Sequence, residues 1–454
     1  MGIMDLKNKK VLVFGTGLSG IGAAVLLYRT GAKPVLYDGN TKVKPEEVRE
    51  KLGREIHAEI IIGELTEQVI DSLSLAVLSP GVPTDLPVVD SMRKKGIPIW
   101  GEVELAYENS RGDVLAVTGT NGKTTTTSLL GEIMKEHQGS VFVVGNIGTP
   151  YTDAALKTTE ESVTVAEISS FQLETTDAFR PKVSAILNIT PDHLNRHHTM
   201  KEYIRVKESI TKNQTEQDVC VLNYEDEVLR EFGKTLKCQV LFFSSLRTLE
   251  KGIYLEDDRI TYRNGKEKTV ICSTKELNLP GRHNHENVMA AAAMAISWGV
   301  PIEEIRTVVK RFQAVEHRIE YVTEKNGVVY YNDSKGTNPD AAIKGIQAMD
   351  RPTFLIGGGY DKDSSYEEWI NSFDGKVKLL VLLGATREKI AEAAKGCGFD
   401  NYVFADTLEE AVKICADRAQ SGDAVLLSPA CASWDMFPSY EVRGRMFKEY
   451  VRKL

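Results

Sequence analysis

Short apolar runs, each followed by an amphipathic stretch, recur along most of the chain. Val11 to Phe14, Val35 to Tyr37, Leu75 to Leu78 and residues 97–99 read as strands, and residues 19–30 show helical periodicity that Gly31 ends. Continuous apolar strands alternating with helices predict parallel sheets covered on both faces. The polar segment 108–113 interrupts this rhythm, and new strands are expected at 114–117, 141–144, 163–166, 184–187 and 219–222. Asn264-Gly265, flanked by 259–263 and 267–271, is a hairpin signal and predicts a small antiparallel addition. A helix over about 284–298 stops at Gly299. After a second interruption near 312–316, the rhythm resumes with strands at 328–331, 353–356, 378–383, 402–404 and 424–427. Three α/β domains are expected, over 1–108, 109–314 and 315–454.

Composition changes this picture little. The 454 residues suit three domains at about 150 residues each, and 42% hydrophobic with 26% charged residues is ordinary globular usage. Lys plus Arg (56) against Asp plus Glu (64) leaves a net charge of −8, and no long basic run is present. A nucleic-acid partner is therefore not expected. Six cysteines without a Cys-x-x-Cys pair suggest reduced thiols in a cytoplasmic protein. No apolar run approaches the roughly 18 residues of a membrane span, and the first ten residues lack the apolar core of a secretion signal. A soluble protein with no membrane partner follows as the expectation.

Two glycine-rich turns carry the chemistry. Gly15-Thr16-Gly17-Leu18-Ser19-Gly20 lies between a strand and a helix, where backbone N–H groups and the helix N-terminus can meet a diphosphate. Asp38, at the end of the next strand, can accept from a ribose or a base. This fingerprint alone does not separate NAD from another nucleoside diphosphate. Gly119-Thr120-Asn121-Gly122-Lys123-Thr124 is sharper, because strand, turn, lysine and hydroxyl stand in the order that cradles phosphates and holds Mg²⁺. Lys123 would offset β/γ-phosphate charge and Thr124 would offer its hydroxyl to the metal, although Val117 stands where a full Walker A motif has glycine. Glu167 follows an apolar run at the crevice end of a parallel strand and suits Mg²⁺. In the polar segment 188–198, His193 can be oriented by Asp192, whereas His197 and His198 read as members of a solvated loop.

Taken together, the 119–124 loop, Glu167 with Ser169, Asp192-His193, Tyr203 with Lys207, the segment 281–287, His317-Arg318, the segment 332–338 and the segment 428–433 resemble the Mur ligases over essentially the whole chain. The resemblance implies a Rossmann-like N-terminal domain, a central P-loop ATPase-like domain with a mostly parallel sheet, and a Rossmann-like C-terminal domain. It also implies an ATP- and Mg²⁺-dependent amide ligase of peptidoglycan precursor synthesis, a monomer acting on small molecules. The substrates implied are UDP-N-acetylmuramoyl-L-alanine and D-glutamate, joined through an acyl phosphate.

Residue by residue, the resemblance implies UDP-substrate contacts from Leu18, Ser19, Asp38, Ser79, Gly81 and Asn146. It implies ATP contacts from Gly119, Thr120, Asn121, Gly122, Lys123, Thr124 and Thr125, with Asn284, Asn287, Arg318 and Asp333. Lys207 resembles a lysine that these ligases carry as a carbamate; read without that likeness it is a solvated helix lysine. With Thr124, Glu167 and His193 it completes the metal set, and Lys123, His193, Lys207 and Glu167 form the catalytic group. Thr337, Lys362, Ser433 and Tyr440 are expected at D-glutamate, with Cys431 a small buried neighbour. The competing readings are another ligase of the same superfamily, an NAD-dependent dehydrogenase using the first turn, and a nucleotide sensor without turnover.

Overall fold

The computed structural model describes residues 5–146, 149–279, 281–313, 316–349, 351–362 and 364–454, the Asn195 side chain excepted. The domain boundary expected at 314 therefore lies outside the described residues. By internal contacts the chain forms two compact units. One comprises Met1–Ile189, Arg196–Ile271 and Val288–Val308; the other comprises Thr190–Asn195, Cys272–Asn287 and Val309–Leu454.

The first unit holds two sheets. Strands β1 (Lys10–Phe14), β2 (Lys33–Asp38), β3 (Glu59–Ile62), β4 (Leu75–Leu78) and β5 (Ile99–Gly101) pair in parallel in the order β3-β2-β1-β4-β5. The strand order reverses between β1 and β4, which opens a crevice at their carboxyl ends. The second sheet contains β6 (Asp113–Thr118), β7 (Val141–Gly145), β8 (Val163–Glu167), β9 (Val183–Ile186), β10 (Val219–Asn223), β11 (Gln239–Ser244), β12 (Lys251–Glu256), β13 (Arg259–Asn264) and β14 (Glu267–Ser273). Its order is β14-β13-β12-β11-β10-β9-β6-β8-β7, so β6 lies between β8 and β9. The hairpin expected around Asn264-Gly265 is present, and a further antiparallel partner, β12, precedes it.

The two sheets share one core. Trp100 of β5, with Val103 and Leu105 of the helix that follows it, packs in the same cluster as Tyr151, Leu173 and Phe179 from the segments that cover the second sheet. Glu104, fully buried, fixes the junction by accepting the N–H groups of Asp177 (2.8 Å), Ala178 (2.6 Å) and Phe179 (3.1 Å). A carboxylate that receives three backbone donors offsets part of its own burial cost.

The second unit is built on β15 (Glu320–Lys325), β16 (Val328–Asn332), β17 (Thr353–Gly357), β18 (Val377–Leu382), β19 (Tyr402–Phe404) and β20 (Ala424–Leu427), in the order β15-β16-β20-β17-β18-β19. Only β15 is antiparallel to its neighbour among the pairs described. Because β16, β20 and β17 are adjacent, the loops that leave their carboxyl ends converge on one edge of the sheet.

Candidate functional site

At the first-sheet crevice, the turn after β1 meets the loop after β4. A Cβ added at Gly20 would lie 1.9 Å from the Gly15 carbonyl oxygen, so only glycine allows the helix Leu18–Arg29 to start so close to the strand. Leu18 is 84% exposed at this helix start, and the buried Ser79 hydroxyl has no hydrogen-bond partner among the described residues. Asp38 accepts the Thr16 hydroxyl at 2.7 Å and the Asn40 N–H at 3.0 Å, which ties the turn to the end of β2. Leu18, Ser19, Ser79, Gly81 and Asp38 are thus all at carboxyl-end loops of one sheet. Asn146 follows β7 of the other sheet, where its amide donates to Glu167 at 2.7 Å.

The central turn is held from the end of the neighbouring strand β9. Gly119 has φ of +145°, and a Cβ there would stand 3.0 Å from the Leu187 side chain. Asn188, just past β9, accepts the Asn121 N–H at 2.8 Å and donates to the Asn121 carbonyl at 3.1 Å. Its own carbonyl accepts the Thr120 N–H at 2.9 Å. The helix Lys123–His137 begins directly after this turn, with Thr124 and Thr125 buried in its first turn. Lys123 donates to the carbonyls of Gly119 (2.9 Å) and Thr120 (2.8 Å). The sequence identified the turn but not Asn188 as its clasp, a pairing that follows from the adjacency of β6 and β9.

Glu167 ends β8 and is 1% exposed. One of its oxygens accepts from Asn146, while Oε2 is buried without a hydrogen-bond partner among the described residues. A buried carboxylate oxygen left open is costly unless a cation or donor fills it. The residues therefore fit the donor set that Mg²⁺ prefers, with the Thr124 hydroxyl a second hard oxygen.

Lys207 lies on the helix Met200–Glu208 and is 1% exposed, so the solvated-lysine reading fails. Its amine donates to the Gly119 carbonyl at 2.8 Å and stands 4.7 Å from the Tyr203 ring centroid. The Tyr203 hydroxyl in turn is 3.1 Å from that of Thr120. The solvated-loop reading also fails for His197, which is 2% exposed with Nε2 2.9 Å from the Ser170 hydroxyl. Burial, reinforced by the charge of Lys207, pushes its pKa down to about 4. His198 is exposed as expected.

In the second unit, Asp192 accepts the His193 N–H at 3.0 Å, and its other oxygen is 3.5 Å from His193 Nε2. His193 adopts φ of +53°. Asn284 and Asn287 are buried and bonded to each other at 3.2 Å. Asp333 follows β16. Burial pushes its carboxyl pKa up to about 6, against the opposing pull of Arg318 and of the Ser428 hydroxyl that donates at 2.7 Å.

The loops after β16, β17 and β20 bring Thr337, Lys362 and Ser433 to one sheet edge, and the helix Tyr440–Lys453 starts there too. Ser433 is buried with its hydroxyl unpartnered among the described residues. Cys431 is buried beside Tyr366 (3.2 Å) and Thr386 (3.3 Å), and burial pushes its thiol pKa up. It is a packing residue rather than a nucleophile.

Arg443, which no sequence motif singles out, is 2% exposed. It donates to the Ser334 hydroxyl (3.0 Å) and to the carbonyls of Ser334 (2.8 Å), Cys431 (3.2 Å) and Ala432 (3.3 Å). It therefore ties the β16 loop to the β20 loop.

A phosphate-type turn in a mostly parallel sheet, preceded by a parallel α/β sheet with its own glycine-rich turn and followed by a third sheet, defines the class, and the family models agree. The Mur ligase MurD-like N-terminal domain matches residues 9–101, the Mur ligase middle domain 117–295 and the Mur ligase glutamate ligase domain 317–431. The chain belongs to the Mur ligase family.

Within it, the chain is 57% identical over 451 residues to the UDP-N-acetylmuramoylalanine--D-glutamate ligase of Lachnoclostridium phytofermentans, covering 99% of each chain. It is 56% identical to the enzyme of the same name from Lachnospira eligens, covering 99% of this chain and 100% of that one. The fold is shared with UDP-N-acetylmuramate-alanine ligase MurC of Thermotoga maritima, at a TM-score of 0.61, 20% identity and coverage of 98% and 99%. It is shared likewise with MurF ligase of Thermotoga maritima in complex with ADP, at 0.59, 19% identity and coverage of 100% and 97%. No helix among the described residues is long and apolar enough to cross a membrane.

Proposed function

We propose that this chain is an ATP-dependent amide ligase that adds D-glutamate to UDP-N-acetylmuramoyl-L-alanine in cytoplasmic peptidoglycan precursor synthesis. The observation that carries this reading is the 57% identity, over nearly the full length of both chains, to a ligase of that name. The substrate carboxylate attacks the γ-phosphorus of ATP, forming an O–P bond as the bond to the ADP oxygen breaks. The amine of D-glutamate then attacks the acyl carbon, loses its proton, and phosphate leaves. No covalent enzyme intermediate is needed, so catalysis rests on positioning and charge.

In this reading the domains extend over 1–108, 109–314 and 315–454. The first-sheet crevice takes the UDP moiety through Leu18, Ser19, Asp38, Ser79 and Gly81, with Asn146 a further contact. Gly119 to Thr125 hold the ATP phosphates, and Lys123 exchanges its carbonyl partners for β/γ-phosphate oxygens. Asn284, Asn287, Arg318 and Asp333 contribute further ATP contacts. Thr337, Lys362, Ser433 and Tyr440 receive D-glutamate, and His193 joins the catalytic group.

Mg²⁺ would be held by Thr124 and Glu167, with His193 and a carbamylated Lys207 as further ligands; it would neutralise phosphate charge. The buried open oxygen of Glu167 supports this set. The burial of Lys207 against the phosphate-type turn supports the carbamate, since that anion could ligate a cation there whereas an ammonium could not. The enzyme is taken to act as a monomer.

Phosphate release tests the whole reading. Sustained release should require ATP, UDP-N-acetylmuramoyl-L-alanine and D-glutamate together. Undiminished release with D-glutamate omitted, or release with a different amino acid only, overturns it.

A further inference from the structure

The proposed amino-acid site contains a cation, Lys362, with no ion-pair partner among the described residues. Lys362 follows Asp361 in the β17 loop, yet that carboxylate is already engaged. One oxygen accepts Lys389 Nζ at 2.7 Å; the other accepts the Ser364 N–H at 3.3 Å and the Tyr366 hydroxyl at 3.4 Å. Lys362 Nζ instead stands 5.9 Å from the ring centroid of Trp434. Tyr360 packs on the same indole, with centroids 5.6 Å apart and planes tilted by 53°.

The indole projects from a fixed base. The Tyr360 N–H donates to the Ala432 carbonyl at 2.9 Å, pairing the β17 loop with the β20 loop. Just beyond, the Ser433 carbonyl accepts the N–H groups of Met436 (3.1 Å) and Phe437 (2.8 Å), closing a turn around Trp434. Asp435 accepts the Ala385 N–H at 2.9 Å, which holds that turn to the neighbouring loop. Despite this anchoring, Trp434 is 63% exposed and Tyr360 45% exposed.

We propose that Trp434, backed by Tyr360, is a positioning residue for the amino-acid substrate, holding the Lys362 ammonium over an aromatic face so that it meets a substrate carboxylate with its charge intact. The inference rests on the reading that Lys362 receives the dicarboxylic amino acid. A carboxylate partner would fix the ammonium but cancel its field at the site. A ring quadrupole attracts the cation while carrying no net charge, so the attraction for an incoming anion survives. Holding a long, flexible side chain in place beforehand also removes part of the ordering cost that binding otherwise meets. The open face of the indole then offers apolar cover to the methylene groups of the same substrate.

Steady-state kinetics on the full-length enzyme test this, using saturating ATP and UDP-N-acetylmuramoyl-L-alanine with D-glutamate varied. Trp434→Ala should raise the KM for D-glutamate about fivefold, the rise falling on KM rather than kcat, and Trp434→Phe should recover most of it because a ring remains. Lys362→Ala should raise the same KM about tenfold or more. With ADP and the UDP substrate bound, adding D-glutamate should shift indole emission in the unaltered protein and not in Trp434→Phe, since Trp434 is the exposed tryptophan of the four.

An unchanged KM in Trp434→Ala beside a raised one in Lys362→Ala overturns the role of Trp434 and leaves the site assignment standing. An unchanged KM in Lys362→Ala overturns the site assignment and this inference with it. A Trp434→Ala defect confined to kcat or to the KM for ATP marks a merely structural role and also overturns it.

Discussion

Each unit holds a buried carboxylate at a strand end and a buried cation from a helix, but their bonding is completed differently in the two. In the first unit the carboxylate is Glu167, at the end of β8, and the cation is Lys207. In the second they are Asp333, just past β16, and Arg443. Both Asp333 oxygens are occupied, one by the Ser428 hydroxyl and one by the Ile319 N–H at 3.3 Å. Glu167 has one oxygen open. Arg443 spreads its donors over two loops, as a planar fork can, and burial lowers its pKa only to about 10, so it remains charged. Asp333 and Arg443 are thus spent on neighbouring loops as scaffold, whereas Glu167 keeps an oxygen open among the described residues. Burial and charge alone do not mark a ligand site; at Glu167 the open oxygen at the carboxyl end of a strand beside the phosphate-type turn is the added sign.

That contrast can be broken most directly at Glu167. Glu167→Ala should cut turnover by about 1000-fold or more, comparable with the loss of a major transition-state contact, while its thermal midpoint stays level or rises because a buried open oxygen is removed. A large drop in midpoint with turnover retained would make Glu167 scaffold too. Arg443 should behave in the opposite sense. Arg443→Ala should lose about 3 kcal/mol of stability, measured by urea unfolding, because carbonyls of two loops lose their donors together. Arg443→Lys should not restore it, since an ammonium cannot reach the same acceptors. Equal stability of Arg443→Lys and the unaltered protein would refute the fork argument.

The smallest effect is expected at Glu102, another buried carboxylate with an oxygen left open among the described residues, outside the proposed catalytic group. Burial pushes its pKa from 4.5 to about 7, against the Gln172 amide that donates at 3.2 Å. A carboxyl raised in this way binds more protons folded than unfolded, so its cost is absent below pH 4.5, grows up to about 7 and is constant above. Glu102→Gln should therefore gain about 2 kcal/mol at pH 8 and almost nothing near pH 4.5, by unfolding midpoints at the two values. A gain of the same size at both would rule out titration as its origin.

Strands buried on both faces were legible as apolar runs, as in β1, β6, β16 and β20. Four strands were not anticipated. β3 (Glu-Ile-Ile-Ile) is an edge strand with no fully buried residue, and β15 (Glu-Tyr-Val-Thr-Glu-Lys) is an edge strand with polar and apolar residues mixed. β11 and β12 lie toward the antiparallel end of the second sheet, where partial exposure breaks the continuous run. The central turn was readable because its chemistry is local in sequence. Asn188, Arg443 and the burial of Lys207 and His197 depend on which strands and helices become neighbours, which local pattern does not encode.

The double grip of Asn188 on the peptide of Asn121 has a thermodynamic reading. A turn whose donor and acceptor are both spoken for before any phosphate arrives has little conformational freedom left to surrender. Nucleotide capture at this turn should accordingly proceed near the rate of productive encounter, with amide exchange in the turn already slow in the unliganded enzyme.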